Sequence, residues 1–283
     1  RLVDTIAACH QHGIAAIVGV SPGLSMRYGD DADRQRLVDK FARLLDAGVD
    51  RPALLFDDIP GELLHEGDRQ AYRSLAAAHA DVANHVAAAV IGRGSANALI
   101  VCPTQYWGAG DGDELVELGT SLRGDIDVLW TGRAICSPEI TAAEAVTFHR
   151  SALRPPLYWD NYPVNDVAMT AELHIGPYRR RDPLLGRFSV GVLANAMEHV
   201  EASKIAVATI ADFLRSPADY DPDESWARAI RTVVGDEFAD AFTTFADCVR
   251  GSCLAEPDPV WLGGELARFE FEARSVARLT HPG

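Results

Sequence analysis

The sequence predicts an α/β protein of the (β/α)8-barrel type, and three observations carry that expectation. Apolar runs of strand length alternate strictly with segments of helical period. The connections between them are short, which suits a parallel sheet with its helices outside. Residues able to do chemistry follow five of the six strand-like runs, whereas a doubly wound open sheet gathers its ligand at one switch point.

Taken in order, Leu2, Val3, Ile6 and Ala7 share a helical face that ends at Gly13, and residues 14–20 form the first strand, closed by Ser21-Pro22-Gly23. Residues 31–47 repeat the helical period until Gly48 stops it. The second strand, 53–56, ends on two adjacent carboxylates, Asp57 and Asp58. An Ala-rich helix over 67–91 leads, past a turn at Gly92-Arg93-Gly94-Ser95, to a third strand at 98–102, which runs into Pro103-Thr104-Gln105-Tyr106-Trp107. A short helix at 114–122 and a fourth strand at 126–130 follow, ending in Thr131-Gly132. A helix at 141–153 precedes the fifth strand, 156–159, which runs into Asp160-Asn161-Tyr162-Pro163. A longer polar loop then carries Asn165, Asp166 and the run Arg179-Arg180-Arg181, whose plain reading is a solvated loop. The sixth strand, 190–193, ends at Asn195, and 198–214 is its helix.

Six units and a leading helix predict that about two β/α units lie upstream of Arg1. After Ser216-Pro217 the pattern changes to an acidic linker at 219–224 and amphipathic helices at 226–249 and 262–279. The expected division is therefore a partial barrel over 1–215 and a small helical domain over 216–283.

Composition narrows the function. At 283 residues and 48% hydrophobic, the chain has the length for a sizeable core. Its net charge of −15 makes nucleic acid and anionic membrane poor partners. No apolar stretch reaches the roughly 20 residues of a membrane span, so a soluble protein, cytoplasmic or secreted, is expected. Five scattered cysteines without a CxxC pair argue against a disulfide framework or structural zinc, leaving only a Cys248–Cys253 bond open. Metal-dependent barrel hydrolases place imidazoles at strand ends, and none of the nine histidines closes a strand; no metal and no cofactor is expected.

What remains is a set of carboxylates, amides and aromatics: Asp57, Asp58, Tyr106, Trp159, Asn161, Asp166 and Asn195. Each alone has an ordinary reading as helix cap, turn or core residue. Together at strand ends they suit a sugar, whose hydroxyls need oriented partners and whose ring face needs an aromatic wall. Two acids side by side also repel, which lets a pocket hold one protonated beside one ionised.

Six ordered motifs are similar to those of glycoside hydrolase family 84, which holds the protein O-GlcNAcases and bacterial β-N-acetylglucosaminidases, some of them labelled hyaluronidases. They are Leu54-Leu55-Phe56-Asp57-Asp58-Ile59, Cys102-Pro103-Thr104-Gln105-Tyr106, Leu129-Trp130-Thr131-Gly132, Trp159-Asp160-Asn161-Tyr162-Pro163-Val164-Asn165-Asp166, Gly176-Pro177-Tyr178 and the stretch from Asn195-Ala196-Met197-Glu198 to Lys204. The resemblance covers roughly 1–215. It implies a retaining exo-β-N-acetylglucosaminidase in which the substrate's own 2-acetamido oxygen attacks the anomeric carbon, an exception to the two-carboxylate retaining scheme.

By the same resemblance, Asp57 would orient the acetamido group and Asp58 would serve as acid and then base. Tyr106 would hold the acetamido oxygen in line, while Cys102, Thr131 and Trp159 shape the pocket for its methyl. Asn161, Asp166 and Asn195 would bind ring hydroxyls. The implied partner is a GlcNAc-bearing glycoprotein or glycan. Gln105 stands where many members have Glu, and two sugar-contacting features of the family, a glycine-aromatic-glycine turn and a lysine, are absent from this sequence. The alternative expectation is therefore a catalytically dead GlcNAc-binding module.

Overall fold

The computed structural model describes residues 1–90, 99–250 and 259–280. The expected turn at Gly92–Ser95, the ends at Ile91 and Ala98, and any Cys248–Cys253 pair lie outside the described residues. The elements run α1 (Leu2–Gln11), β1 (Ile17–Val20), α2 (Asp31–Asp46), β2 (Arg51–Leu55), α3 (Glu66–Ala71), α4 (Leu75–Val90), β3 (Ile100–Cys102), α5 (Asp113–Ser121) and β4 (Asp127–Trp130). They continue with α6 (Ala142–Ala152), β5 (Pro156–Asp160), a 3-10 turn (Val167–Met169), α7 (Leu185–Phe188), β6 (Gly191–Ala194), α8 (Val200–Arg215), α9 (Pro222–Val234), α10 (Asp236–Val249) and α11 (Val260–Thr280).

The strands form one sheet in sequential order, β1 to β6, and β1 through β5 pair in parallel. A doubly wound sheet reverses its order at the switch point; a sequential parallel order with helices between strands is that of a barrel. The six strands are thus a partial (β/α) barrel.

Strand periodicity sorts the core into two layers. Leu54, Phe56, Val101, Val128, Trp130 and Tyr158 pack outward with helix residues such as Phe41, Val86 and Phe148. Ala53, Ile100, Cys102, Leu129 and Leu157 form the opposite face, with Leu55, Tyr106, Trp159 and Leu193 packed against them.

Several helices begin or end where a side chain competes with the helical pattern. The helix expected over 67–91 is broken into α3 and α4, because Tyr72 is extended (φ −123°, ψ 139°) and its hydroxyl donates to Asp81 at 2.8 Å. Ser74 then accepts from Ala77 N at 3.0 Å and restarts the helix. The helix expected over 226–249 is likewise split, at Gly235 with φ +83°. The expected acidic linker is in fact the start of α9: Asp221 caps it by accepting from Glu224 N at 2.9 Å, with Pro222 in the first turn. Of the arginine run, Arg180 is exposed, as a solvated loop would have it, while its two neighbours are engaged. Arg179 pairs with Asp223 at 2.5 Å, and the Arg181 guanidinium lies 5.0 Å from the centre of the Tyr178 ring.

The chain divides into two compact units, one of residues 1–160 and 184–193, the other of 161–183 and 194–283. The first contains the barrel strands described above. In the second, Ile175, Met197, Ile205, Trp226, Ile230 and Ala239 form a core, and the Trp226 indole donates to Ile175 O at 2.7 Å. A second cluster joins Tyr162, Tyr178, Ile210 and Phe213. Among the described residues, no helix is long and apolar enough to cross a membrane.

Candidate active site

The two-residue period of each strand decides which side chains share a face. In β2 the residues of the inner layer are Ala53 and Leu55, so Asp57 is the next in phase. The same count leads from Ile100 to Cys102 in β3, from Leu129 to Thr131 after β4, and from Leu157 to Trp159 in β5. Cys102 and Trp159 therefore lie on the inner face of their strands, and Asp57 and Thr131 follow β2 and β4 in the same phase.

Asp58 would point the other way if β2 simply continued. Its backbone instead turns left-handed, with φ +54°, a conformation costly for a residue with a Cβ. Both carboxylates bear on one group: burial, then the charge of Asp58, then that of Asp57 raise the Tyr106 hydroxyl above its usual range. Asp58 is exposed, while Asp57 is half-buried.

Burial is the main cause that lifts the Asp57 carboxyl above the ordinary carboxylate range, with the charge of Asp58 adding to it. Its own backbone N–H and the Cys102 thiol pull the other way. The thiol, only 2% exposed, is pushed well up by burial and by Asp57. The Oδ1 atom of Asp57 is buried and accepts no hydrogen bond among the described residues. A buried acceptor without a donor costs about 1–3 kcal/mol, which makes this atom a natural receiver for an N–H brought by a ligand.

The strand ends are pinned to one another by the backbone. Phe56 N donates to Cys102 O at 2.9 Å, and the Thr104 hydroxyl donates to Phe56 O at 2.8 Å. Thr131 N donates to Tyr106 O at 2.9 Å, so the segment carrying the tyrosine is tied to the end of β4. The Thr131 hydroxyl is buried and donates to Ala134 O at 2.7 Å. The turn after it needs a glycine: Gly132 has φ +93°, and a Cβ there would sit 2.5 Å from the Ser137 hydroxyl.

Cys136 is a neighbour that sequence reasoning did not single out. It stands close enough to Tyr106 for its charge to bear on the phenol, yet it lies six residues past a strand end, where no pattern marks it.

In the second unit, Asn161 and Asn195 are joined directly. The Asn195 amide donates to Asn161 Oδ1 at 3.0 Å, and both are half-buried. Asp166 is exposed and opens the 3-10 turn at Val167, with no capping bond from its side chain. His174, fully buried, donates from Nδ1 to Val164 O at 2.7 Å, and its Nε2 lies 2.8 Å from the Glu172 carboxylate. This holds the segment 164–174 in place without using Asp166.

A family model described as beta-N-acetylglucosaminidase matches residues 1–247. Among curated proteins, the protein O-GlcNAcases of Rattus norvegicus and Mus musculus are each 29% identical over 222 residues, 76% of this chain and 24% of theirs. Among solved structures, a Thermobaculum terrenum O-GlcNAc hydrolase mutant superposes with a TM-score of 0.88 at 37% identity, over 96% of this chain and 60% of that one. The chain spans about a quarter of the length of the curated relatives it matches. By the extent of that match and by the structural likeness, the chain belongs to the beta-N-acetylglucosaminidase family, glycoside hydrolase family 84.

Proposed function

We propose that this chain carries the acid pair of a retaining β-N-acetylglucosaminidase that removes β-linked GlcNAc from proteins by substrate-assisted catalysis. The observation that supports it most is the orphan Oδ1 of Asp57, a buried acceptor beside a second carboxylate and a tyrosine. An acetamido N–H would satisfy that atom, and the demand grows during the reaction because positive charge develops on the nitrogen.

In the proposed sequence, the acetamido oxygen attacks the anomeric carbon as the bond to the leaving oxygen breaks, and Asp58 gives its proton to that oxygen. The ring so formed is an oxazoline. Water then adds to the anomeric carbon, its proton returns to Asp58, and the acetamido group is regenerated with overall retention. Asp57 takes the hydrogen bond of the acetamido nitrogen throughout. Tyr106 keeps the acetamido oxygen in line, and Cys102, Thr131 and Trp159 bound the space for its methyl group. Asn161, Asp166 and Asn195 are assigned to the ring hydroxyls.

The exposed position of Asp58 suits a proton that must reach solvent water after each cycle, and the half-buried position of Asp57 suits a group that only binds. The test is hydrolysis of an aryl N-acetylglucosaminide and of a GlcNAc-modified peptide, with the product's anomeric configuration read by NMR. Retention with a thiazoline-type inhibitor competing for the site is the expected result. Inversion, or turnover of an analogue lacking the 2-acetamido group at the same rate, would overturn the scheme.

A further inference from the structure

Beside the acid-bearing strand ends, the loop that follows β1 and one face of α2 enclose a groove of about 300 Å³. Asp33, Arg36, Leu37 and Lys40 have the spacing of one helical face and form one wall, with Ser21, Ser25 and Arg27 on the other. Three cations thus face one lining carboxylate, in a chain whose net charge is −15.

The two arginines are held in place. Asp33, only 8% exposed, accepts from Arg27 N at 3.0 Å and from Arg27 Nε at 2.9 Å, and it also pairs with Arg36. Asp30 takes a further contact from Arg27 at 3.2 Å. One buried carboxylate therefore orients two guanidinium groups whose remaining N–H bonds are free to meet an oxyanion in the fork geometry such groups favour. Lys40 is exposed and makes no ion pair among the described residues. The serine hydroxyls supply further donors.

The register fixes where this groove begins. Val20 pairs with Leu54, so Ser21 starts at the level of Leu55, two residues short of Asp57, on the order of 7 Å along the neighbouring strand. A peptide extended from a sugar held at Asp57 covers that distance in about two residues.

We propose that this groove binds the carboxylate or phosphate group of an acidic residue about two positions from the GlcNAc-modified serine or threonine, giving the enzyme a preference for acidic peptides. The proposal rests on the glycosidase reading above for its substrate, but the groove itself is tested without turnover. Fluorescence anisotropy compares three unglycosylated peptides that differ only at that position, carrying alanine, glutamate or phosphoserine. In parallel, hydrolysis of an aryl N-acetylglucosaminide is measured on the same preparations.

Both acidic peptides bind about tenfold more tightly than the alanine peptide at low salt, phosphoserine ahead of glutamate, and the preference fades as salt rises. The variants Lys40→Glu and Arg36→Gln, both at exposed helical positions, lose the preference and keep the aryl turnover of the parent. Equal binding of the three peptides, or a preference that survives in both variants, overturns the groove. A tighter grip on phosphoserine alone assigns it to phosphate and removes the carboxylate. Absent aryl turnover with the preference intact would instead remove the glycosidase reading and leave the anion site standing.

Discussion

Asp57 stands two residues beyond Leu55, the register partner of Cys102, and the Cys102 thiol, which donates to Pro103 O at 3.8 Å, lies near enough to the Asp57 carboxyl to draw its pKa down. That influence works against the burial that raises Asp57, because a nearby S–H donor favours the ionised carboxylate. Replacing Cys102 with alanine removes that donor. The acid limb of the kcat/KM profile, set by protonation of Asp57, then moves to higher pH, and stability falls by about 1 kcal/mol for the small cavity left. The buried thiol also stays unlabelled by iodoacetamide at pH 8 while partly exposed Cys9 reacts, and it becomes reactive only in denaturant. Labelling of Cys102 in the native protein would contradict its burial.

Asp57→Asn separates binding from stability. The asparagine keeps the size but cannot balance a charge developing on the acetamido nitrogen, so kcat falls about 10²- to 10³-fold on all substrates alike. The sign for stability is opposite. A carboxyl whose folded pKa lies above its unfolded value binds protons more tightly when folded, so its ionisation disfavours folding as pH rises from the unfolded value through the folded one. Above that window the variant is the more stable protein; below it the difference vanishes. Urea midpoints at pH 3 and pH 7 read both arms, and an unchanged difference at the two values would count against the raised pKa.

Asp58→Ala should lose most activity where the leaving group needs a proton and much less where it does not. A loss of about 10²- to 10⁴-fold on a GlcNAc-peptide against tenfold or less on an activated aryl glycoside is the expected pattern. Asp58→Gly shares that pattern and adds a gain of about 0.5–1 kcal/mol, because glycine takes the left-handed backbone at φ +54° without a Cβ clash. Equal losses on both substrates would deny the acid role.

These features were unevenly legible in the sequence. The strands and the residues that close them could be read because a buried parallel strand is a continuous apolar run that must stop at its polar end, as 53–56 stops at Asp57. The breaks at Tyr72 and Gly235 could not, since the Ala-rich and amphipathic periods continue through both; a tyrosine hydroxyl reaching Asp81 and one glycine's φ decide them. Asp221-Pro222 did carry a readable start signal, an acidic cap followed by proline, but its run of acids resembled a linker. At the site, the pair of acids was plain to see and the device that joins them was not. Adjacent residues in a strand face opposite sides, but both acids lie past the end of β2, where Asp58 turns left-handed, and the charges of both bear on Tyr106.

The opposite end of the sheet predicts a purely structural effect. Arg154, only 6% exposed, precedes β5 and uses all five of its N–H bonds on backbone carbonyls. They go to Ala152 at 2.9 Å, Arg123 and Ile126 at 2.7 Å each, Gly119 at 2.9 Å and Leu122 at 3.3 Å. One guanidinium thus closes the ends of α5 and α6 and the start of β4, at the barrel end remote from the acids, where residues serve stability. Burial lowers its pKa, with Asp127 and Asp125 acting against that. Arg154→Ala leaves these carbonyls without their donors and is expected to cost about 3–5 kcal/mol, and Arg154→Lys, with three donors in no fixed fork, about 2 kcal/mol. Turnover per folded molecule, measured well below the unfolding transition, stays that of the parent in the lysine variant. A lysine variant with the parent's urea midpoint would show that the carbonyls find water instead, and that the network contributes nothing to holding the helices on the sheet.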